Sequence, residues 1–472
     1  MLNSVKEGSK LREMWPLITE ELRDDIYVVN RTFISGLFQD VATDKAISEF
    51  LSDPASGYTK KRGRSGRWTS LPKGESEGIS EQHVRNIVCV ASASQAQSVQ
   101  QLGTYCRQIF IKQPNRNFVR TLVITEKRVR LIHFDCSGVY MSDFIDFHEN
   151  PALFVRLVLR LTSPDEELLG FDTSVKWTVD EESGNTTVNS DGQEITYNLN
   201  MDEEIFVRAS IRGRGTVCWP ATHPVSGRSV LIKDSWRTAT RESESKYLEA
   251  VKGIEGVAQM ISYHDFCADT ENYRPSDCEH DGFHNRTKLR VVLEYYGKNV
   301  WNFKSRFELV AAFRDALHTA RSSSNTSSTE TSPYRIYYLG RKGQERSSRN
   351  FNHLDMAIWA DRTTEEICQD PRSGDYLYQS VAILLSMGEE NQSALAQDYL
   401  DDIESFFYAL VRIIFFFKKL GKSNVDRAPF LVEWGTCDAG ASNSKDTFIR
   451  NPISWTHYRK EFWGESCKKL IT

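Results

Sequence analysis

Hydrophobic positions change their pattern along the chain, and the changes mark its parts. Ile18, Leu22, Ile26 and Val29 recur at spacings of four, four and three, which predicts helix within a first segment of about 55 residues. Pro54 and the run Lys60-Lys61-Arg62-Gly63-Arg64-Ser65-Gly66-Arg67 end that pattern. The run reads as a solvated loop, with a nuclear-import signal or a phosphate contact as the alternatives. Residues 84–180 read as an α/β unit. It has a strand over Val84–Ala93, a helix over Ser94–Gln113 with Ser94 as N-cap, and strands over Phe118–Thr125 and Val129–Phe134; a helix over Asp143–Arg160 follows. Glu181–Gln193 is polar and turn-rich, either a boundary or a long hairpin.

From residue 203 the alternation is strand-like. Ile205 and Val207 lead into Arg212-Gly213-Arg214-Gly215-Thr216, a strand Val217–Trp219, a turn Pro224–Gly227 and a strand Val230–Lys233. A helix through Tyr247, Leu248 and Val251 and a strand Arg290–Glu294 follow. Two long helices come after them. Phe307, Val310, Phe313 and Leu317 mark the first; Ile403, Phe406, Phe407, Leu410, Ile413, Ile414 and Phe417 mark the second, which should be buried over most of its surface. Between the two lies Arg321–Ser332, RSSSNTSSTETS, a low-complexity tract with no packable face.

Composition narrows the classes. At 472 residues, 40% hydrophobic, 26% charged and a net charge of −5, the chain is neither collagen-like, nor wholly disordered, nor a polytopic membrane protein. The near-neutral balance argues against nucleic-acid binding as a whole-protein property. The longest strongly apolar stretch, Ala409–Phe417, is about half a membrane span and contains Arg412, so no membrane partner is expected. The first residues, MLNSVKEGSKLREMW, lack the apolar core of a secretory signal, so an intracellular location in cytoplasm or nucleus is expected. The nine cysteines are odd in number and form no C-x-x-C pair; buried free thiols fit better than a zinc site. Cys278-Glu279-His280-Asp281-Gly282-Phe283-His284 has metal-like spacing but reads better as a polar insertion before a strand.

Charge is informative locally. Residues 321–352 carry six basic and two acidic residues. Gly213 and Gly215 could expose backbone N–H groups to a phosphate, although a plain hairpin explains two glycines equally well. Lys233 ends an apolar strand, and Glu244 stands one turn before an apolar pair on a helix. Taken singly, the first is a strand-end lysine facing water and the second a surface glutamate.

The order of these features is that of a protein kinase. The wording resembles the fungal-type protein kinase family over roughly residues 80–435. The strings that carry the resemblance are Gly213-Arg214-Gly215-Thr216, Lys233-Asp234-Ser235-Trp236-Arg237, Phe313-Arg314-Asp315-Ala316 and Asp401-Asp402-Ile403-Glu404-Ser405-Phe406-Phe407-Tyr408. Earlier segments match too, at Gln113-Pro114-Asn115-Arg116-Asn117-Phe118-Val119 and Phe134-Asp135-Cys136-Ser137-Gly138. The resemblance implies an α+β, bilobal protein-kinase-like fold, with a β-rich small lobe over 201–300 and a helical large lobe over 301–472. An N-terminal α/β module over 1–200 precedes them, and a tract at 320–350 interrupts the large lobe. It further implies that Gly213 and Gly215 cover the phosphates of ATP and that Lys233 contacts them, held by Glu244. Glu294 and Tyr296 belong to the hinge beside adenine, and Asp402 anchors the catalytic loop. The reaction would be magnesium-assisted γ-phosphoryl transfer to a Ser or Thr hydroxyl.

The sequence departs from that pattern where charge matters most. No His-Arg-Asp occurs, and no Asp lies between Asp315 and Asp355. In Asn352-His353-Leu354-Asp355-Met356-Ala357, His353 stands at the metal-binding aspartate, and neutral imidazole is a poor ligand for magnesium. Ala382 replaces the glutamate of the family's Ala-Pro-Glu segment, Cys218 the third glycine, and Leu231 a small residue over adenine. No residue is therefore assigned as catalytic or metal-binding, ATP is the expected ligand and magnesium is doubtful. Two readings stay open: a catalytically impaired pseudokinase or scaffold, or an active kinase whose catalytic loop is lost because 319–352 is a mis-spliced stretch. The N-terminal module reads as a docking domain or a decayed nuclease-like domain; Asp135 and Glu126-Lys127 are too poorly spaced for nuclease activity.

Overall fold

The computed structural model describes residues 18–464 with breaks, the longest at 315–376 and others including 61–65, 70–86, 275–282, 296–302 and 388–398. Helix and sheet are mixed throughout. The chain divides into two compact units: Leu2–Thr240 with Tyr263–Val291, and Arg241–Ser262 with Val292–Thr472.

The first unit contains two sheets. One is built from β1 (Ile26–Val29), β4 (Ile87–Cys89), β5 (Phe118–Ile124), β6 (Arg128–Asp135) and β7 (Gly138–Ser142), in the order β1-β7-β6-β5-β4. Strand β8 (Ile145–Asp146) pairs with β6 off this path. Alternation along these strands buries both faces. On one face Leu122, Leu131 and Tyr140 pack with Ile34 and Phe38 from the segment around α1 (Arg31–Leu37) and with Leu153, Phe154 and Leu157 of α4 (Pro151–Leu161). On the other, Val123, Ile132 and Met141 pack with Val99, Leu102 and Cys106 of α3 (Gln95–Lys112) and with Ile18 and Leu22. Helix α2 (Asp44–Ser52) and the short hairpin β2–β3 (Tyr58–Thr59, Arg67–Trp68) complete this part.

The opening segment departs from its predicted helix. Residues 18, 19, 21 and 22 are helical, but Ile26–Val29 is a strand, parallel to β7 with Ile26 opposite Val139. Tyr27 and Val29 are buried and Val28 is exposed, the two-residue period of an edge strand rich in β-branched side chains. The helix expected over Asp143–Arg160 begins only at Pro151. Before it, Ile145 pairs with Val129, and the Asp146 carboxylate accepts the amides of His148 and Glu149 in a turn. Pro151 then suits a first helical position, where no amide is needed.

The second sheet has the order β15-β16-β14-β13-β11-β10-β9, with β12 also paired to β13. Its strands are β9 (Val175–Trp177), β10 (Gly184–Ser190), β11 (Gln193–Leu199), β12 (Phe206–Val207), β13 (Val217–Thr222), β14 (Ser229–Thr238), β15 (Met260–Asp269) and β16 (Arg286–Glu294). Within the polar stretch, Gly184–Ser190 pairs antiparallel with Gln193–Leu199, with Ser190 opposite Gln193. Strands β15 and β16 continue across the division between the units.

The second unit is mainly helical: α5 (Glu244–Ala250), residues 306–314, α6 (Val381–Met387), α7 (Tyr399–Phe416), α8 (Pro429–Glu433) and α9 (Asp438–Arg450). Its core joins Leu309 and Phe313 to Tyr408, Val411, Ile414 and Phe415 of α7, and to Phe430, Trp434 and Phe448. In α7 Tyr408, Ala409, Val411, Ile413, Ile414 and Phe415 are buried and Leu410 half-buried, while Leu400 and Ile403 at its start stay exposed.

Candidate functional site

Strands β12 and β13 pair with Val207 opposite Val217, and the segment 208–216 links them. Gly213 and Gly215 both have positive φ, 120° and 46°, which the missing side chain permits. At Gly215 space also demands glycine: a Cβ would stand 2.8 Å from Cys136 Sγ and 3.1 Å from Trp236 Cδ1. The loop is tied down at several points. Gly213 N–H donates to Cys136 O at 2.9 Å, and Trp236 N–H donates to Arg214 O at 2.8 Å. The Ile211 and Arg212 amides donate to Glu21 Oε1, the latter at 2.8 Å. Burial raises the Glu21 carboxyl to about 7, against the amides and the charges of Arg107 and Arg208.

Lys233 lies in the middle of β14, fully buried and opposite Cys218 of β13. It is not a strand-end lysine facing water, because β14 runs on to Thr238. Asp234, its neighbour, necessarily faces the other side of the pleat. That side holds a buried ionic cluster absent from the sequence reading. The Arg290 guanidinium donates from Nε to Asp234 Oδ1 at 2.6 Å and from Nη2 to Oδ2 at 2.7 Å, a two-pronged pair. Arg290 also reaches Asp172 Oδ2 at 3.0 Å, Ser174 Oγ at 2.6 Å and Thr186 Oγ1 at 2.9 Å. Lys288 donates to Asp172 Oδ2 at 2.6 Å and lies 3.7 Å from Asp234 Oδ2. Burial opposes the charge on both acids, but Arg290 and Lys288 outweigh it and hold both carboxyls below the usual range. Thus the string Lys233-Asp234-Ser235-Trp236-Arg237 serves two faces of the sheet.

A second polar cluster surrounds Asp135 at the end of β6. Its Oδ1 accepts from Ser137 N–H at 2.7 Å and Arg274 Nη2 at 2.6 Å, and His133 Nε2 lies 2.9 Å from Oδ2. The His133 ring stacks on Tyr140, with centroids 4.4 Å apart. Burial drives its pKa down to about 3 despite Asp135, so it is neutral at ordinary pH. A carboxylate bonded to Arg274 and the Ser137 amide beside a neutral, stacked imidazole is a structural arrangement. Among the described residues, no group of three or more His, Cys, Asp or Glu side chains is placed to hold a metal ion. No helix among them is long and apolar enough to cross a membrane.

In the second unit, Glu244 is buried as the first residue of α5. Glu294 closes β16, exposed, with its N–H donating to Gln259 O at 3.0 Å. Asp402 lies in the first turn of α7. Its neighbours fasten the start of α6: Asp401 accepts from Ser380 Oγ, and Glu404 accepts from Val381 N–H at 2.9 Å and from Tyr408 Oη. Ala382 is exposed in this α6. A buried Lys445 from α9 donates to Gln379 O and sits 4.0 Å over the Tyr408 ring. Asp401 and Glu404, quoted in the string Asp401–Tyr408 but given no role there, thus work at this segment together with Lys445, which the sequence reading did not name. Gly213, Gly215 and Lys233 belong to one unit, and Glu244, Glu294 and Asp402 to the other. Tyr296, the Cys278–His280 part of the metal-like string, the tract 320–350, His353 and Asp355 lie outside the described residues.

The family model described as fungal protein kinase matches residues 72–278 and 270–414, well over half of the chain. No curated protein matches it.

Proposed function

The chain belongs to the fungal protein kinase family, and from that premise we propose a nucleotide-binding, bilobal kinase-like protein whose phosphoryl transfer is impaired. The observation that carries the reading is the buried Lys233 at the centre of β14, on the strand hairpin that follows the Gly213–Gly215 loop. In a kinase-like fold a lysine at the centre of this strand lies beside the nucleotide phosphates, and burial in the middle of β14 suits that position. In this reading Glu244 holds Lys233, Glu294 and Tyr296 border adenine, and Asp402 supports the large lobe. Small lobe, large lobe and N-terminal module occupy roughly 201–300, 301–472 and 1–200.

Impairment rests on the sequence between Asp315 and Asp355, which has no aspartate, and on His353 at the metal position. When bound, magnesium neutralises the phosphate charge that develops during transfer. An imidazole does not replace the hard oxygen ligand that this ion requires. In this reading Lys233 and the loop bind and orient a nucleotide, while the sequence offers no aspartate at the expected place to orient the hydroxyl and receive its proton.

A second reading, an active kinase whose catalytic loop is missing through mis-splicing, is favoured by the low-complexity character of 321–332. A transcript read across codons 315–360 separates the two. For the chain as it stands, ATP should raise the melting temperature by a degree or more, and no γ-phosphate should reach generic Ser/Thr substrates. Robust transfer that Lys233→Ala abolishes would overturn the impaired reading.

A further inference from the structure

The entry to the glycine loop is occupied by an acidic side chain of the protein's own. Glu21, on the short helical stretch that also carries Ile18 and Leu22, receives the Ile211 and Arg212 amides on one carboxylate oxygen. The next amide, Gly213 N–H, is committed to Cys136 O at 2.9 Å. Three consecutive N–H groups at the head of a Gly-x-Gly loop are the type of concavity that receives anionic oxygens. Here all three are filled from the N-terminal part of the same unit.

The other contacts show that this is a built seat. Ile211 is buried with Ile18, Leu22, Val99 and Leu102, so the same helical stretch holds both the side chain and the backbone of the loop's entry. Gly215 lies tightly against Cys136 and Trp236. The second carboxylate oxygen of Glu21 is buried without a hydrogen-bond partner among the described residues. That is an unfavourable environment for a carboxylate and makes its hold on the amides replaceable by a better-neutralised anion.

We propose that Glu21 is a built-in phosphate mimic: it fills the Ile211 and Arg212 amides at the entry to the Gly213–Gly215 loop, so that a nucleotide reaching those amides must displace it, and release of Glu21 raises nucleotide affinity. The inference rests on the nucleotide reading above. It places regulation in the segment before β1, acting through competition for the same backbone amides.

The test compares full-length wild type, Glu21→Gln and Glu21→Ala, with ATP and adenosine as probes and amide exchange of the 208–216 peptide as a second readout. Gln keeps the size of the side chain and removes its charge; Ala removes the plug. Expected are about fivefold or greater tightening of ATP binding in Glu21→Ala and a smaller gain in Glu21→Gln. Adenosine, which has no phosphate, should bind equally to all three proteins, and the loop peptide should exchange about tenfold faster in Glu21→Ala. Unchanged ATP affinity in variants of a protein that binds ATP would overturn the plug and leave the nucleotide reading intact. Equal gains for ATP and adenosine would also overturn it, as general loosening. If no variant binds ATP, the nucleotide reading itself fails and the plug fails with it.

Discussion

The sheet-rich unit buries carboxylates in two contrasting ways. Asp172 and Asp234 face Lys288 and Arg290, two acids against two bases, all within hydrogen-bonding or ion-pairing distance. Glu21 faces two backbone amides, with the charges of Arg107 and Arg208 also favouring its ionised form. Burial penalises the ion in both places. Matched charge reverses the penalty in the first, and the amides fail to do so in the second, where the carboxyl rises to about 7. The first arrangement is a permanent fastening of β14 and β16 to the segment after α4. The second is a contact that a change of charge or a competing anion can undo.

The largest effect should come from breaking the matched cluster. Arg290→Met leaves Asp234 and Asp172 buried with only Lys288, and should cost about 3–5 kcal/mol of unfolding free energy. Urea unfolding checks this, and a loss below about 1 kcal/mol would contradict the fastening role. Adding Asp234→Leu to Arg290→Met removes the orphaned charge as well. The double variant should recover part of the loss, since the penalty lies in leaving one partner unpaired.

His133 gives an intermediate case. Its buried imidazole has a folded pKa of about 3, below the 6.5 of the free side chain. The stability it contributes is therefore complete above pH 6.5 and declines as the pH falls towards 3, because the unfolded chain takes up a proton that the folded one refuses. The slope should approach about 1.4 kcal/mol per pH unit within that window. Stability measured from pH 7 to 4 should lose this component in His133→Gln; an unchanged profile would assign the acid sensitivity elsewhere.

The smallest effect, and the one of opposite sign, belongs to Glu21. Its folded pKa is raised from 4.5 to about 7, so its contribution is complete below pH 4.5 and is lost as the pH rises through 7. Besides the two amides, the charged and titratable groups near it are Arg107, Arg208 and the Cys136 thiol. Glu21→Gln should flatten stability between pH 5 and 8. A variant that follows the wild-type curve through this range would show that the carboxyl is already ionised, and the contrast with the matched cluster would fall.

The elements with a strong local pattern were legible from sequence. Helix α3 was expected over Ser94–Gln113 and runs Gln95–Lys112; β5 and β6 lie within two residues of expectation. The missed pieces are short or depend on a distant partner. Gly138–Ser142 is five residues long and becomes β7 by pairing with β6 and β1. Ile26–Val29 satisfied a helical spacing by coincidence, and the open edge of β7 made it a strand. In the candidate site, Gly213, Gly215 and Lys233 could be named from order and spacing. Glu21 and Arg290 could not, because Glu21 meets Arg212 across 191 residues and Arg290 meets Asp172 across 118.

By itself the sequence determined the family, through strings such as Lys233–Arg237 and Asp401–Tyr408, and the absence of aspartate between 315 and 355. These are matters of residue identity and order, which no folding changes. Only the tertiary structure decided which groups meet: that Asp234 turns away from Lys233 to Arg290, and that Glu21 receives the Ile211 and Arg212 amides just before the glycine loop. Pleating sends neighbouring residues to opposite faces, and burial obliges each polar group to find a partner wherever the fold brings one.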